Sequence, residues 1–202
     1  MCNSYAATLG YREYVEAFSH TRFPLRWPAP HAAPNLEPRD PVRPTDPAPI
    51  IRAREDGVEL AQLKWGFRPP APKRPPVINF RSEGRRFGSN RCLIPASHFY
   101  EYTGEKYPKT RWKLTLNGEP WLCFAGLWRP AEGDWPESFT MLTTGPGPDI
   151  APYHDRQPVV LARKDWITWL DPAADTAGLL RPMEAGMLLV VQDSAPPAGA
   201  LI

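Results

Sequence analysis

Apolar residues along this chain change their spacing several times, and each spacing predicts an element. Tyr11, Tyr14, Val15 and Phe18 recur at intervals of three and four, which predicts a short amphipathic helix. Val58 to Trp65 reads as a strand. Arg111 to Leu116, then Asn117-Gly118, then Trp121 to Trp128 has the form of a β-hairpin closed by a type I′ turn. Ser138 to Thr143 and Met187 to Gln192 predict further strands, and Lys164 to Leu170 a short helix stopped before Pro172. Proline interrupts the rest. Nine prolines between Pro24 and Pro49 predict a long irregular loop, and five between Pro69 and Pro76 a stiff one leading into Asn79. There is no internal repeat, and the last residues, Ser194 to Ile202, read as a frayed tail.

Composition narrows the class. The 202 residues suffice for one domain with a sizeable core, and 42% hydrophobic with 23% charged residues is a globular balance. The 27 prolines and 14 glycines stay below the share that signals disorder, so the loops are expected to be ordered. A net charge of +2 hides a local excess. Arg68, Lys73, Arg74, Arg81, Arg85, Arg86 and Arg91 face a single acid, Glu83, in one stretch. Such a run suits an anionic partner, nucleic acid first, or is simply a solvated surface. Three widely spaced cysteines (Cys2, Cys92, Cys123) argue against a disulfide framework. Four scattered histidines, with no CxxC or HExxH, argue against a metal site. No signal peptide or membrane-length apolar run is visible, so the expected compartment is a reducing cytoplasm.

Five positions carry candidate chemistry. Cys2 follows the initiator Met1; once Met1 is removed, the chain begins with a 1,2-aminothiol, which condenses with aldehydes. Its amine and thiol both titrate near neutral pH when unperturbed. The plainer alternative is an incidental second-position cysteine that keeps its Met1. Glu101, between Tyr100 and Tyr102, is a candidate for burial and a raised pKa suited to proton transfer, or a strand carboxylate facing water. His154 could donate to an oxyanion or relay a proton, or cap a turn. Asn79 and Arg81, two apart, share one face of a strand. Arg81 there could grip a phosphate while Asn79 orients the substrate or the Cys2 amine, or Arg81 could pair with Glu83.

An ordered set of segments carries a resemblance. Met1-Cys2, Trp65-Gly66-Phe67, Asn79-Phe80-Arg81-Ser82-Glu83, Arg91-Cys92-Leu93-Ile94-Pro95-Ala96 with Phe99-Tyr100-Glu101, Phe124-Ala125-Gly126-Leu127-Trp128, Phe139 to Thr144, and His154-Asp155-Arg156-Gln157-Pro158-Val159-Val160-Leu161 occur in order over most of the chain. The chain resembles the SOS-response-associated peptidase family, also called the abasic-site-processing or HMCES-like family. The resemblance implies recognition of abasic sites in single-stranded DNA, notably near single-strand/double-strand junctions. It implies attachment of an exposed Cys2 to the ring-opened sugar as a thiazolidine crosslink that shields the lesion. It also implies a peptidase or lyase-like description, the peptidase part through loss of the residue ahead of the cysteine. Cys2 would be the nucleophile, Glu101 the proton shuttle, His154 the group assisting ring opening, and Asn79 the residue that positions amine or sugar. Arg81 and Arg156 would bind phosphates, with a contact from Thr143. The chain has Cys2-Asn3-Ser4 where the family usually reads Cys-Gly-Arg, and no aromatic in Pro69 to Arg74, where Lys73 and Arg74 would supply phosphate contacts.

The expectation is therefore an α+β protein with a single domain over 1–193, a mostly antiparallel, barrel-like β core and a few peripheral helices, followed by a flexible tail over 194–202. It would act as a monomer, without cofactor or metal and away from membranes, in the cytoplasm and at the nucleoid when bound to damaged DNA. The rival readings are a cysteine hydrolase using the Cys2 thiol and a non-covalent single-stranded DNA-binding module.

Overall fold

Several strands of this protein are buried on both faces, which is why their sequences read as nearly unbroken apolar runs. All of residues 91–96 are buried, with Cys92 and Ile94 in one core and Leu93 in another. The same alternation places Leu122 and Phe124 against Cys123 and Ala125, and Met141 against Leu142. The computed structural model describes residues 2–19, 21, 23–26, 36–55 and 57–193. In chain order its strands are β1 (Tyr5–Ala7), β2 (Leu25–Arg26), β3 (Arg39–Val42), β4 (Pro47–Arg54), β5 (Gly57–Trp65), β6 (Asn79–Arg81), β7 (Arg91–Ala96), β8 (His98–Thr103), β9 (Thr110–Leu116), β10 (Leu122–Arg129), β11 (Ser138–Thr144), β12 (Gln157–Pro158), β13 (Val160–Leu161) and β14 (Leu188–Asp193). The α-helices are α1 (Tyr11–Phe18) and α2 (Trp166–Leu170).

These elements form layers. A five-stranded antiparallel sheet runs β14-β9-β8-β1-β3. A nine-stranded mixed sheet runs β12-β11-β10-β7-β4-β5-β2, with β13 on β10 and β6 on β11. The first core lies between the sheets and holds Tyr5, Trp65, Phe99, Leu114, Phe124 and Phe139. The second lies on the outer face of the larger sheet, where α1 and α2 cover it. Tyr14 and Phe18 of α1 reach Trp121 and Trp166, with ring centroids 5.7 and 5.9 Å apart. The larger sheet curls until β11 meets β5 at Ser138↔Lys64 and Phe139↔Trp65. The core is barrel-like in that loose sense; the sheets are not closed barrels.

Two features aim β6 at the interior. Trp65 Nε1 donates to Ile78 O at 3.0 Å, holding the residue ahead of β6. Gly66, at φ +122°, donates its amide to Phe139 O at 2.7 Å, and a Cβ there would meet Pro76 at 2.8 Å. Only glycine allows this close crossing without strain.

Two expectations need correction. The Asn117-Gly118 turn does not close a hairpin: β9 pairs with β8 and β14, whereas β10 pairs with β7, β11 and β13. Type I′ requires positive φ at both central residues, and here only Gly118 has it. Asn117 is instead tied to the approach of β14, through its amide to Met187 O and its side chain to Gly186 O. The proline-rich stretch from Pro24 to Pro49 is not wholly irregular either. Pro41 sits on β3, an edge strand, the position in a sheet that tolerates proline. Pro47 and Pro49 lie on β4 opposite Lys64 and Gln62 of β5, outside the part of β4 that pairs with β7, which covers Ile51 and Arg52. Residues 27–35 of that stretch and the 194–202 tail lie outside the described residues. Among the described residues no helix is long and apolar enough to cross a membrane.

Arg91, one of the seven cations of the basic stretch, is interior. Its Nη1 donates to Phe87 O (2.9 Å), Ala174 O (3.3 Å) and Thr176 Oγ1 (2.8 Å), and its Nη2 to Asp171 O. It ties β7 to the chain beyond α2. Arg91→Ala takes the donor away from the buried Thr176 hydroxyl and from three partly buried carbonyls, so it is expected to lower unfolding free energy by about 3 kcal/mol, read from urea midpoints. A loss below about 0.5 kcal/mol would show that the tether is dispensable.

Candidate active site

The N-terminal segment is drawn into the core because β1 is an internal strand. β8 and β3 flank it, with Tyr5↔Phe99 and Tyr5↔Val42 in register. Tyr5 packs edge-on to Trp65 and Phe124, at 5.1 and 6.0 Å between centroids. Cys2, three residues earlier, is consequently only 1% exposed. This differs from the exposed cysteine that the resemblance implied. Its thiol donates to Ser4 O at 3.5 Å. Burial pushes the thiol pKa well up, and the nearby Glu101 charge adds to the rise, so Cys2 rests as a neutral thiol.

Asn79 reaches Cys2 from 77 residues away: its Nδ2 donates to Cys2 O at 2.8 Å. A carbonyl only accepts, so the amide nitrogen faces Cys2 and Oδ1 is left over. That Oδ1 is buried and has no partner among the described residues. Tyr100 N donates to Ser4 O at 3.1 Å, which carries the β1–β8 pairing toward Cys2. By strand alternation Phe99 and Glu101 share the face toward the core between the sheets, while His98 and Tyr100 turn the other way and bind Asp40. Glu101 is 2% exposed, and its Oε1 has no partner among the described residues. Burial raises its carboxyl from the ordinary 4.5 to about 7.

The segment 153–156 closes the other side. Tyr153 packs on Trp112 at 4.6 Å between centroids, and Trp112 is the cross-strand partner of Glu101. Nδ1 of the partly buried His154 accepts the Arg156 N–H at 3.0 Å. Asp155 Oδ1 lies 2.8 Å from the same nitrogen, a contact that would favour a proton there. Burial lowers the His154 pKa, however, and Asp155 is 88% exposed and well solvated, so the neutral ring prevails. With Nδ1 accepting, the ring proton sits on Nε2.

Arg156 forms a bidentate pair with Glu83, and its Nη2 also donates to Thr143 Oγ1 at 3.0 Å. Thr143 stands opposite Arg81 in the β11–β6 pairing. The alternative partner for Arg81 is thereby taken, because Glu83 is held by Arg156, which also lowers its pKa. Arg81 itself is exposed and makes no ion pair among the described residues. Lys73 and Arg74 sit on an exposed turn beyond the Phe67–Val77 bridge, and no described contact links them to Cys2. The structure thus brings Cys2, Asn79 and Glu101 together, places His154 beside them, and sets Thr143, Arg156 and Arg81 along one rim. The basic stretch as a whole is dispersed: Arg91 is interior and Arg68 pairs with Glu132 and Asp134. Among the described residues no group of three or more His, Cys, Asp or Glu could hold a metal.

Sequence reasoning missed Glu83 as the holder of Arg156 and the Trp112–Tyr153 wall. These partners are 73 and 41 residues apart, and no local spacing signals them.

The sequence pattern of the SOS response associated peptidase (SRAP) family matches residues 1–193. The chain belongs to that family. It is similar to the abasic site processing protein YobE of Bacillus subtilis, 29% identical over 191 residues, covering 85% of this chain and 83% of YobE. Abasic site processing protein YoqW of the same organism is 28% identical, covering 96% of this chain and 93% of YoqW. Solved structures with a similar fold include a protein from Bacteroides thetaiotaomicron (TM-score 0.74, 17% identity, 95% of this chain and 91% of that one). A Bordetella bronchiseptica protein matches at TM-score 0.72 and 24% identity, covering 96% of this chain and all (100%) of that one. At these identities the two structures speak for the fold alone.

For this SRAP family member the raised Glu101 pKa has a stability consequence. The folded protein binds the Glu101 proton more tightly than the unfolded chain, so the associated stability is complete below pH 4.5 and is lost as pH rises through about 7. Glu101→Gln, which mimics the neutral form, is expected to match wild type at pH 4 and exceed it by about 3 kcal/mol at pH 8. Parallel urea midpoints at both pH values would show that Glu101 titrates as an ordinary surface carboxylate.

Proposed function

We propose that this protein, once Met1 is removed, captures abasic sites in single-stranded DNA by forming a thiazolidine at Cys2. The observation that carries this reading is the pair of buried acceptors at Cys2, Asn79 Oδ1 and Glu101 Oε1, that have no partner among the described residues. Buried polar atoms are ordinarily satisfied, and two orphans beside one residue suit a ligand or an amine that brings donors. Family membership and relatives named abasic site processing proteins support the same reading.

The steps balance as follows. The freed Cys2 nitrogen adds to the aldehyde carbon of the ring-opened sugar, giving a carbinolamine. Loss of water gives an imine. The Cys2 sulfur then adds to the imine carbon while its proton passes to nitrogen, which closes the five-membered ring. Glu101, with a pKa of about 7, can give a proton to the departing hydroxyl and accept one from the thiol at neutral pH. Asn79 holds the Cys2 carbonyl and offers Oδ1 to the amine or a sugar hydroxyl. His154, with its proton on Nε2, donates to the sugar oxygen released on ring opening. Arg81, Arg156 and Thr143 take phosphates, with Lys73 and Arg74 adding charge, so recognition is sequence-independent and salt-sensitive, near single-strand/double-strand junctions.

The test is intact-mass spectrometry of the purified protein before and after incubation with an abasic single-stranded oligonucleotide. Loss of Met1 followed by an adduct mapped to Cys2 is expected. Mature protein that hydrolyses a peptide without DNA and gives no adduct would move the assignment to a cysteine hydrolase. Equal binding of abasic and intact DNA by wild type and Cys2→Ala would leave a non-covalent binding module. Cys2→Ser should give only a borohydride-reducible imine, and an equally persistent adduct would remove the thiol from the mechanism. Arg81→Ala should weaken binding to all sequences alike and reduce the salt slope by about 1.

A further inference from the structure

β6 has a second face. Asn79 and Arg81 serve the Cys2 side, and Phe80 between them points the other way and packs against the core under the helices. After β6 the chain turns at Gly84 (φ +69°) and sets the Arg85 guanidinium over the Phe80 ring, 4.7 Å from its centroid. An open cleft of about 400 Å³ results. Phe67, Phe80 and Trp128 line it together with Arg85, Arg86 and Arg129. The Arg129 guanidinium lies 4.3 Å from the Phe67 ring centroid. No Asp or Glu among the described residues lines this cleft, and Arg85, Arg86 and Arg129 form no ion pair there. Elsewhere cations of this chain are neutralised, as Arg52 is by Glu59 and Glu137 and Arg68 by Glu132 and Asp134.

We propose that this cleft is a nucleotide subsite that holds one unpaired nucleotide of a single-stranded DNA. A guanidinium stacked on an aromatic ring presents a flat cationic plate. A nucleobase can stack on such a plate while its phosphate meets the neighbouring arginines. An acidic peptide would use the charge and leave the aromatic lining idle, because a carboxylate meets guanidinium edge-on. Ser89 and Asn90 add neutral polar groups at the wall that can meet base edges. The turn from Arg81 to Arg85 joins this cleft to the phosphate rim of the Cys2 site, so a strand can run over both. Stacking accepts every base, so the subsite adds affinity and length dependence, with no sequence preference. That the strand is the lesion-bearing one rests on the proposed function; occupancy of the cleft by single-stranded DNA does not.

The test uses an intact oligothymidylate carrying one 5-iodouracil, irradiated with the full-length protein and mapped residue by residue. A photoadduct on Trp128 is expected, together with at least tenfold weaker binding of the oligothymidylate by the doubly substituted Arg85→Ala, Arg129→Ala protein, checked by circular dichroism to be folded. Photoadducts confined to the Cys2 side, with the double variant binding as wild type, would overturn the subsite. The Cys2 assignment is judged separately: a Trp128 photoadduct in a protein that never crosslinks abasic DNA leaves the subsite standing and removes the covalent function. Abasic crosslinking without any Trp128 adduct does the reverse.

Discussion

The insertion of β1 between β8 and β3 is the constraint on which the site depends. A chain terminus ordinarily frays, because few contacts offset its conformational entropy. Here Tyr5 is fully buried against Trp65 and Phe124, and main-chain pairing on both sides holds the strand. Cys2 therefore cannot lie in solvent. Once β1 is in place, the β8 register puts Glu101 on the interior face, and Asn79 closes on the Cys2 carbonyl from the opposite sheet.

Burial then sets the electrostatics. The same desolvation keeps the Cys2 thiol protonated, brings Glu101 to about 7, and keeps His154 neutral. Of the three, Glu101 is the one brought to a pKa suited to exchanging protons at neutral pH, while the thiol and the imidazole are held neutral beside it. Charge is kept at the rim, where Glu83 and Thr143 hold Arg156 and Arg81 stays open to solvent. The cost is a buried carboxyl with an unsatisfied oxygen, a feature that stability alone would not retain.

β6 links the two proposed functional surfaces because a strand alternates its side chains. Its three residues face the Cys2 site with Asn79 and Arg81 and the arginine–aromatic cleft with Phe80. The arginines that follow the strand are divided accordingly. Arg85 and Arg86 belong to the cleft, and Arg91 is spent on holding the chain beyond α2. A charge run in sequence is thus dispersed in space.

By itself the sequence determined the elements whose signals are local. The spacing of Tyr11, Tyr14 and Phe18 yields α1, and the predicted strands around Val58, Ser138 and Leu188 are present. The shared face of Asn79 and Arg81 also follows from neighbours in the chain, whereas the sequence left Glu101 open between burial and a water-facing carboxylate, and the β8 register decided for burial. Tertiary structure decided what depends on partners far away. Asn117-Gly118 carries the local mark of a hairpin, yet β9 pairs with β8 and β14 in one sheet and β10 with β7, β11 and β13 in the other. Prolines that forbid a central ladder are accommodated where a neighbouring strand stops short. The burial of Cys2, the capture of Glu83 by Arg156, and the unpartnered oxygens of Asn79 and Glu101 all arise from contacts across sheets, which no periodicity records.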